Sequence, residues 1–128
     1  MTDQTTRKFI ILMTDGENQS TSNSSNNGSY YSGISYIWAD RLGNFNEYAS
    51  NAARTAALDS RLSTLCTNIK AAGIQIFTIR VEVTSGTSAL LQSCASNPNM
   101  FNDVSNSANL TAAFQAIGAQ ISELRLSN

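Results

Sequence analysis

The first apolar run of the chain predicts a buried strand. Five consecutive apolar residues, 9–13, follow the basic pair Arg7 and Lys8 and end at the tripeptide Thr14-Asp15-Gly16. A short, uninterrupted apolar run that stops at turn residues is typical of a strand in a parallel sheet. We therefore predict a first strand over residues 7–14, with residues 9–13 buried on both faces.

A helical pattern follows over residues 50–72. Leu58, Leu62, Leu65 and Ile69 recur at spacings of four, three and four residues, which places them on one face of a helix. Gly73 can adopt the left-handed conformation that ends many helices. We predict one long helix whose leucine face packs on the core.

The pattern changes to that of a strand over residues 74–83, where β-branched residues are frequent. Alternation predicts one apolar face, formed by Phe77, Ile79, Val81 and Val83. The opposite face begins apolar and ends with Arg80 and Glu82. We expect Arg80 at a solvated strand end, with an ion pair to a carboxylate near Asp15 as the alternative.

The last third of the chain predicts a short helix, a strand over residues 100–104 and a final helix. Thr87 or Ser88 is the expected cap of the short helix, and Ser105 or Ser107 that of the final one. The apolar face of the final helix is predicted to consist of Leu110, Phe114, Ile117, Ile121 and Leu124.

The predicted order β-α-β-α-β-α indicates an α/β fold. Parallel strands joined by right-handed helical crossovers form a Rossmann-like partial sheet in two or three layers. The first two helices are expected on one face of the sheet, which leaves the last helix free to cover the other face.

The segment 17–48 does not fit this alternation. Its first part is polar, and we expect residues 18–29 to be mobile. Its second part is aromatic, and we consider two roles for it: a lid on the sheet, or an exposed recognition surface. A short strand pair within residues 30–38 is a further option. The candidate interaction surface consists of Tyr30, Tyr31, Tyr36 and Trp38.

Composition narrows the class of protein. The length of 128 residues suits one domain. Only 13% of residues are charged and the net charge is −1, so no basic surface points to nucleic acid. No apolar run approaches the length of a membrane span, and we expect this chain alone to be soluble.

Side-chain chemistry excludes several kinds of site. The sequence has no histidine, which removes Ser-His and Cys-His nucleophiles and the commonest zinc ligand. Cys66 and Cys94 are too few for a zinc knuckle, so a disulfide and two buried thiols both remain open.

Asp15 is the first carboxylate to consider as a ligand. In open α/β sheets, ligands bind beyond the carboxyl ends of the strands, although an Asp-Gly pair is also ordinary turn chemistry. An alternative function is therefore a small metal-dependent hydrolase or phosphoacceptor domain that uses Asp15. The lack of histidine and of a glycine-rich phosphate loop weakens this alternative.

Several stretches of the chain resemble a known family. The opening strand with Thr14-Asp15-Gly16, residues 65–74 (LCTNIKAAGI) and residues 76–79 (IFTI) resemble the later half of a von Willebrand factor A (VWA) domain. Residues 90–96 (LLQSCAS), 100–103 (MFND) and 110–118 (LTAAFQAIG) are similar to the C-terminal region of TadG-like proteins. These proteins are associated with tight-adherence (Tad, or Flp-type) pilus assembly in bacteria. The resemblance covers nearly all of residues 7–127.

The resemblance implies a non-enzymatic interaction domain in pilus assembly or adhesion, with envelope proteins as partners. The family builds a metal-dependent adhesion site from three loops, and only Asp15 of the third loop has a match here. No Asp-x-Ser-x-Ser motif occurs in the sequence. Mg²⁺ prefers about six oxygen ligands. We therefore expect no tightly bound cofactor and at most weak Mg²⁺ or Mn²⁺ binding at Asp15. Glu17 is expected to be solvated, with a role as a second carboxylate ligand as the alternative.

The resemblance also implies a location and an exposed edge. Relatives are membrane-anchored with this region in the periplasm, which favours a disulfide between Cys66 and Cys94. Residues 1–128 would then form a single, truncated VWA-like domain. The family strand that matches residues 9–13 pairs on one side with a strand that has no match here. We expect the aromatic segment to cover this edge, or two chains to form a homodimer through it.

Overall fold

A computed structural model describes residues 6–19, 31–32, 35–36, 50–83 and 88–126. The fold is mixed α/β, with a three-stranded parallel sheet compatible with a Rossmann-like arrangement. The predicted alternation of strands and helices is confirmed, with small differences in the bounds. The elements are β1 (Phe9–Thr14), β2 (Tyr31–Ser32), β3 (Ser35–Tyr36), α1 (Asn51–Ala71), β4 (Gln75–Val81), α2 (Ala89–Cys94), β5 (Phe101–Val104) and α3 (Leu110–Leu126).

The chain divides into two compact units. The first unit comprises Met1–Glu17 and Ser63–Asn128, and the second comprises Asn18–Leu62. In the second unit, β2 and β3 form an antiparallel pair, which confirms the strand pair predicted within residues 30–38. Ser50 caps α1 there, since its Oγ accepts a hydrogen bond from the N–H of Ala53 at 3.2 Å.

The sheet lies in the first unit, with β4 at its centre in the order β1-β4-β5. Both neighbours run parallel to β4, in a register that aligns Thr14 with Arg80 and Arg80 with Asp103. Residues 76–80 of β4 are all buried, which means that both faces of the central strand are covered. A parallel strand of this kind takes helices on both sides.

The two faces of the sheet are covered by different helices. On one face, Ile117 of α3 belongs to a buried apolar cluster with Phe77 and Ile79 of β4. On the other face, the hydroxyl of Thr78 donates a hydrogen bond to the Leu91 carbonyl of α2 at 3.0 Å. The structure thus confirms that the last helix covers the face opposite α2.

The end of α1 follows the expected chemistry. Gly73 has a φ of 76°, the left-handed value that glycine adopts without steric cost. Its N–H donates to the Lys70 carbonyl, and the N–H of Ile74 donates to the Ile69 carbonyl. This pair of bonds is the Schellman motif, which satisfies carbonyls at the end of a helix.

The leucine face predicted for α1 is wrong at Leu65. That side chain is 54% exposed, whereas the neighbouring Cys66 is buried at 3%. The inward position belongs to Cys66 because the disulfide to Cys94 holds it against α2. Hydrophobic spacing alone did not distinguish the two adjacent positions.

The predicted burial of β1 on both faces is also wrong. Ile10, Ile11 and Met13 are 36%, 41% and 51% exposed. Within the described part of the chain, β1 pairs with β4 alone and is an edge strand. A continuous apolar run therefore marked a strand at the edge of this sheet rather than one at its centre.

Two helix caps differ from those predicted. Ser88 occupies the position before α2, but its side chain makes no capping hydrogen bond. Before α3 the capping residue is Asn106, whose side chain accepts a hydrogen bond from Ala108 N–H, rather than Ser105 or Ser107. A 3₁₀ turn at Ser107–Asn109 inserts between this cap and the helix.

The core face predicted for α3 is wrong at one residue. Phe114, predicted on the core face of α3, is 42% exposed, whereas Ile117 one turn later is 1% exposed.

In the parts of the chain that the structure describes, no helix combines the length and the apolar character needed to cross a membrane.

Candidate functional site

The candidate site lies where the three parallel strands end. After β1, the hydroxyl of Thr14 donates to the Gly16 carbonyl at 2.8 Å and accepts from the Gly16 N–H at 3.2 Å. The Thr14 side chain therefore closes this turn, and the Asp15 carboxylate lies exposed just beyond the strand. This is the edge at which open α/β sheets bind ligands.

Arg80 lies at the same edge, at the centre of the sheet. The residue is only 3% exposed, so the predicted solvated position is wrong. Its Nη1 lies 3.5 Å from Asp103 Oδ2, and its Nη2 donates to the Val83 carbonyl at 2.9 Å. Arg80 does pair with a carboxylate, but the partner comes from β5 and not from the Asp15 turn.

The Arg80–Asp103 pair leads to a double-mutant prediction. Asp103→Asn is expected to lower the free energy of unfolding by about 1–2 kcal/mol, because it leaves the Arg80 cation buried with a neutral neighbour. The effect stays moderate since the Asp103 side chain is 48% exposed and water screens the pair. Urea denaturation of the single variants and of the double variant with Arg80→Met measures the coupling. In the Arg80→Met background, Asp103→Asn should cost almost nothing; equal costs in both backgrounds would contradict the pairing.

Glu82 follows β4 with an unusual backbone. Its φ is 54°, a left-handed value that is uncommon for residues other than glycine. Its N–H donates to the Val104 carbonyl at 2.8 Å, and its Oε1 accepts from the Ser107 N–H at 3.1 Å. Glu82 thereby joins the end of β4 to the turn that precedes α3.

The hydrogen bonds from Ser107 predict a pH dependence of stability. The Ser107 hydroxyl, and to a smaller extent its backbone N–H, lower the pKa of Glu82 below its usual 4.5. Because this pKa is lower in the folded chain, the stabilisation is present above the unfolded-chain value and is lost as the pH falls through the folded value. Glu82→Gln should therefore lower the free energy of unfolding at neutral pH. The difference in unfolding free energy between this variant and wild type should become smaller in acid.

Denaturation at several pH values between about 7 and about 3 tests this prediction. Ser107→Ala provides the matched comparison, because it removes the hydroxyl and keeps the backbone N–H. That variant should retain part of the pH dependence. A gap between wild type and Glu82→Gln that does not change with pH would refute the assignment to this carboxylate.

Sequence reasoning placed Glu82 at the charged end of β4 without a partner, and it did not select Asp103 or Ser107 as members of this edge. All three are polar residues at or just after a predicted strand, which was the available signal. Their partners, however, follow from the register between β4 and β5, and that register cannot be inferred from the sequence of either strand alone.

The donor set near Asp15 does not fit a tight Mg²⁺ site. The Thr14 hydroxyl is already engaged with Gly16, which leaves the exposed carboxylates of Asp15 and Glu17. Among the described residues, no three His, Cys, Asp or Glu side chains are grouped so that they could hold a metal ion. A hard cation takes about six oxygens. Weak binding of Mg²⁺ or Mn²⁺ at Asp15 stays a prediction.

The two cysteines form a disulfide, which decides between the alternatives left open by the sequence. Cys66 and Cys94 are joined with a Cα–Cα distance of 5.2 Å, and both are buried. The bond connects α1 to the end of α2. Lys70 reinforces the connection, since its Nζ donates to the Ser93 carbonyl at 2.6 Å.

The predicted aromatic surface is described only in part. The backbones of Tyr31 and Tyr36 lie opposite one another in the β2–β3 pair, and their side chains lie outside the described part of the chain. Tyr30 and Trp38 are outside the described residues altogether. Their role as an interaction surface stays a prediction.

Comparison of the chain with protein-family models, with curated proteins and with solved structures gives no match. The α/β class and the disulfide therefore rest on the structure. The relation to VWA domains rests on the sequence resemblance and belongs to the proposal that follows.

Proposed function

We propose that this chain is a non-enzymatic, VWA-like interaction domain of the bacterial cell envelope, with a role in Tad (Flp-type) pilus assembly or adhesion. The observation that carries the proposal is the exposed apolar edge of β1, where Ile11 and Met13 lie beside the Asp15 turn. Exposed apolar side chains on a strand edge that has no partner strand among the described residues suit contact with a protein chain better than chemistry on a small molecule.

Three features support this assignment. The residues that resemble VWA and TadG-like proteins include the Thr14-Asp15-Gly16 turn and the segment around Cys66. The parallel sheet is compatible with such a domain. The disulfide is typical of oxidising compartments, which favours a periplasmic or cell-envelope location as part of a membrane-anchored protein.

The proposed partners are protein components of pilus assembly. By the resemblance, the contact surface includes Asp15, and the aromatic residues of the second unit supply a further surface. We propose that Asp15 contributes as an exposed carboxylate, with weak Mg²⁺ or Mn²⁺ binding at most.

A metal and phosphodonor titration separates this function from the hydrolase or phosphoacceptor alternative. NMR signals of the amides of residues 14–17 should shift only at Mg²⁺ or Mn²⁺ concentrations of about 1 mM or more. Acetyl phosphate should leave Asp15 unmodified by mass spectrometry. Asp15→Asn is the control for both measurements. Micromolar binding, or a phosphoaspartate at Asp15, would favour the alternative.

The envelope function is tested in the host bacterium. Deletion of the gene should abolish surface pili, and the wild-type gene should restore them. A photo-crosslinking residue at Glu17, next to Asp15, should capture pilus-assembly proteins. The same residue at Glu123, which is exposed on α3, should not. Normal piliation in the deletion strain would contradict the proposed role.

A further inference from the structure

The backbone of β1 has one side that faces away from the sheet. The Gln75 N–H donates to the Lys8 carbonyl, and Phe9 is in register with Gln75. In a parallel ladder, this register directs the backbone groups of residues 8, 10, 12 and 14 toward β4. The backbone groups of residues 9, 11 and 13 therefore point to the opposite side, where the described chain supplies no strand.

The side chains of the same three residues lie on the face that α3 covers. Phe9 packs against Phe77 with a ring-centroid distance of 6.2 Å. Residues 11 and 13 share this face with residue 9 because side chains alternate along a strand. Ile11 and Met13 lie beyond the part of this face that α3 covers, and they are 41% and 51% exposed.

Phe114 of α3 belongs to the same apolar surface. Ile117 marks the side of the helix that faces the sheet, and residues 114 and 120 flank it by about 60° on either side. The Gln120 side chain donates a hydrogen bond to the Asn99 carbonyl, which lies just before β5. The side of α3 that carries Gln120 therefore faces β5. Phe114 consequently lies on the β1 side. We call the surface formed by Ile11, Met13 and Phe114 the edge patch.

We propose that β1 pairs with β1 of a second copy of this chain, antiparallel and centred on Ile11. In this register Ile11 lies opposite Ile11 of the second copy, and Phe9 lies opposite Met13. All three are residues whose backbone groups point outward, and each such pair exchanges two hydrogen bonds. The outcome is a continuous sheet in the order β5-β4-β1-β1-β4-β5.

The charges at the ends of the strand favour a second copy as the occupant. The same register places Arg7 opposite Asp15 of the second copy, and the two-fold axis produces this pair twice. A shift of two residues in one direction places Arg7 opposite Met13. A shift of two residues in the other direction places Arg7 opposite Glu17 but puts Asp15 opposite Phe9. Cross-strand pairs of opposite charge stabilise a sheet, and a charge opposite an apolar residue does not.

The two-fold axis also brings the edge patches together. An axis normal to the sheet keeps α3 of both copies on the same face. Ile11 then meets its counterpart at the axis, Met13 meets Phe9 of the second copy, and Phe114 lies on the side of α3 that faces the second copy. A single pairing thus satisfies the outward backbone groups, buries the edge patch and matches the end charges.

Amide hydrogen exchange at increasing protein concentration tests the pairing in the full 128-residue chain. Analytical ultracentrifugation should show a monomer–dimer equilibrium. Exchange at Phe9, Ile11 and Met13 should slow as dimer forms, whereas Ile10 and Leu12 should be protected throughout. A monomer at all concentrations would overturn the proposal. If residues 9, 11 and 13 are then unprotected, the edge is open and available to a different protein; if they are protected, another segment of the same chain covers the edge.

Charge reversal tests the register. Asp15→Arg or Arg7→Asp alone places like charges opposite each other twice and should weaken dimerisation by about tenfold. The double variant restores opposite charges and should return the dissociation constant to within about threefold of wild type. Glu17→Arg is the matched control, since no cation lies opposite it in this register. Failure of the double variant to recover would overturn the proposed register.

Ile11→Pro tests the backbone contribution. The Ile11 N–H points away from β4, and proline is tolerated where a strand's N–H faces outward. The variant should be monomeric with an unchanged circular dichroism spectrum, and Ile11→Val should dimerise like wild type. A folded Ile11→Pro variant that dimerises normally would refute the pairing; if it does not fold, charge reversal decides. The inference rests on β1, the charges that flank it and the edge patch, and not on the pilus role. A chain that stays monomeric while the deletion strain loses its pili would therefore overturn the pairing and leave the proposed function standing.

Discussion

Removal of the Cys66–Cys94 disulfide is expected to lower the free energy of unfolding by about 3–4 kcal/mol. The bond spans 28 residues and closes a loop that includes the end of α1, all of β4 and α2. Reduction frees this loop in the unfolded chain and raises its conformational entropy. For a domain of this size, such a loss is a large part of the total stability.

Two forms of the protein separate the effect of the bond from that of the side chains. Wild-type protein in reducing agent loses the link and keeps both sulfur atoms in the core. The double variant Cys66→Ala, Cys94→Ala loses the link and also leaves a small cavity, so it should be the less stable of the two. Guanidinium denaturation of all three forms gives the comparison. Unchanged stability on complete reduction would show that the loop is restrained by other contacts.

Phe77→Ala is expected to cost about 3–5 kcal/mol of unfolding free energy. Phe77 is fully buried at the centre of the sheet, between Phe9 and the apolar cluster under α3. The substitution removes an aromatic ring from a region where α3 and the sheet cannot close the gap without moving. The expected result is a lower denaturation midpoint with an unchanged slope.

Ile11→Ala is the matched control for this position. Ile11 is the register partner of Phe77 on the neighbouring strand, but it is 41% exposed. Truncation of Ile11 should lower the free energy of unfolding by about 1 kcal/mol when measured at low protein concentration. Similar losses at both positions would mean that β1 is covered and that the edge patch is not a free surface.

The exposed edge of β1 is unusual for a strand of this composition. Natural proteins commonly protect such edges with lysine, proline or a bulge, because an unpaired apolar edge promotes association. Residues 9–13 contain none of these residues, and the nearest charges are Lys8 and Asp15 at the two ends. This composition supports the proposed pairing of β1 with a second copy of the chain.

Local patterns were sufficient to predict most of the elements. These patterns depend on residues close together in the chain. They are the apolar run of β1, the β-branched run of β4 and the glycine after α1. Predictions failed where two adjacent positions compete for the interior, as at Leu65 and Cys66. They also failed at capping sites, where Asn106 served in place of a nearby serine. At Leu65 and Cys66 the decision depends on Cys94, which is distant in sequence, whereas the Asn106 cap is a local hydrogen bond from Ala108 that a preference for serine missed.

The sequence by itself determined the alternation of strands and helices, the left-handed end of α1 and a carboxylate immediately beyond β1. These features depend on interactions between residues close in the chain. The tertiary structure decided the disulfide between Cys66 and Cys94, the burial of Arg80 beside Asp103 and the exposure of Ile11 and Met13. The disulfide depends on how α1 and α2 lie beside each other, and the other two features depend on the order and register of the strands. Both are set by packing across the whole sheet.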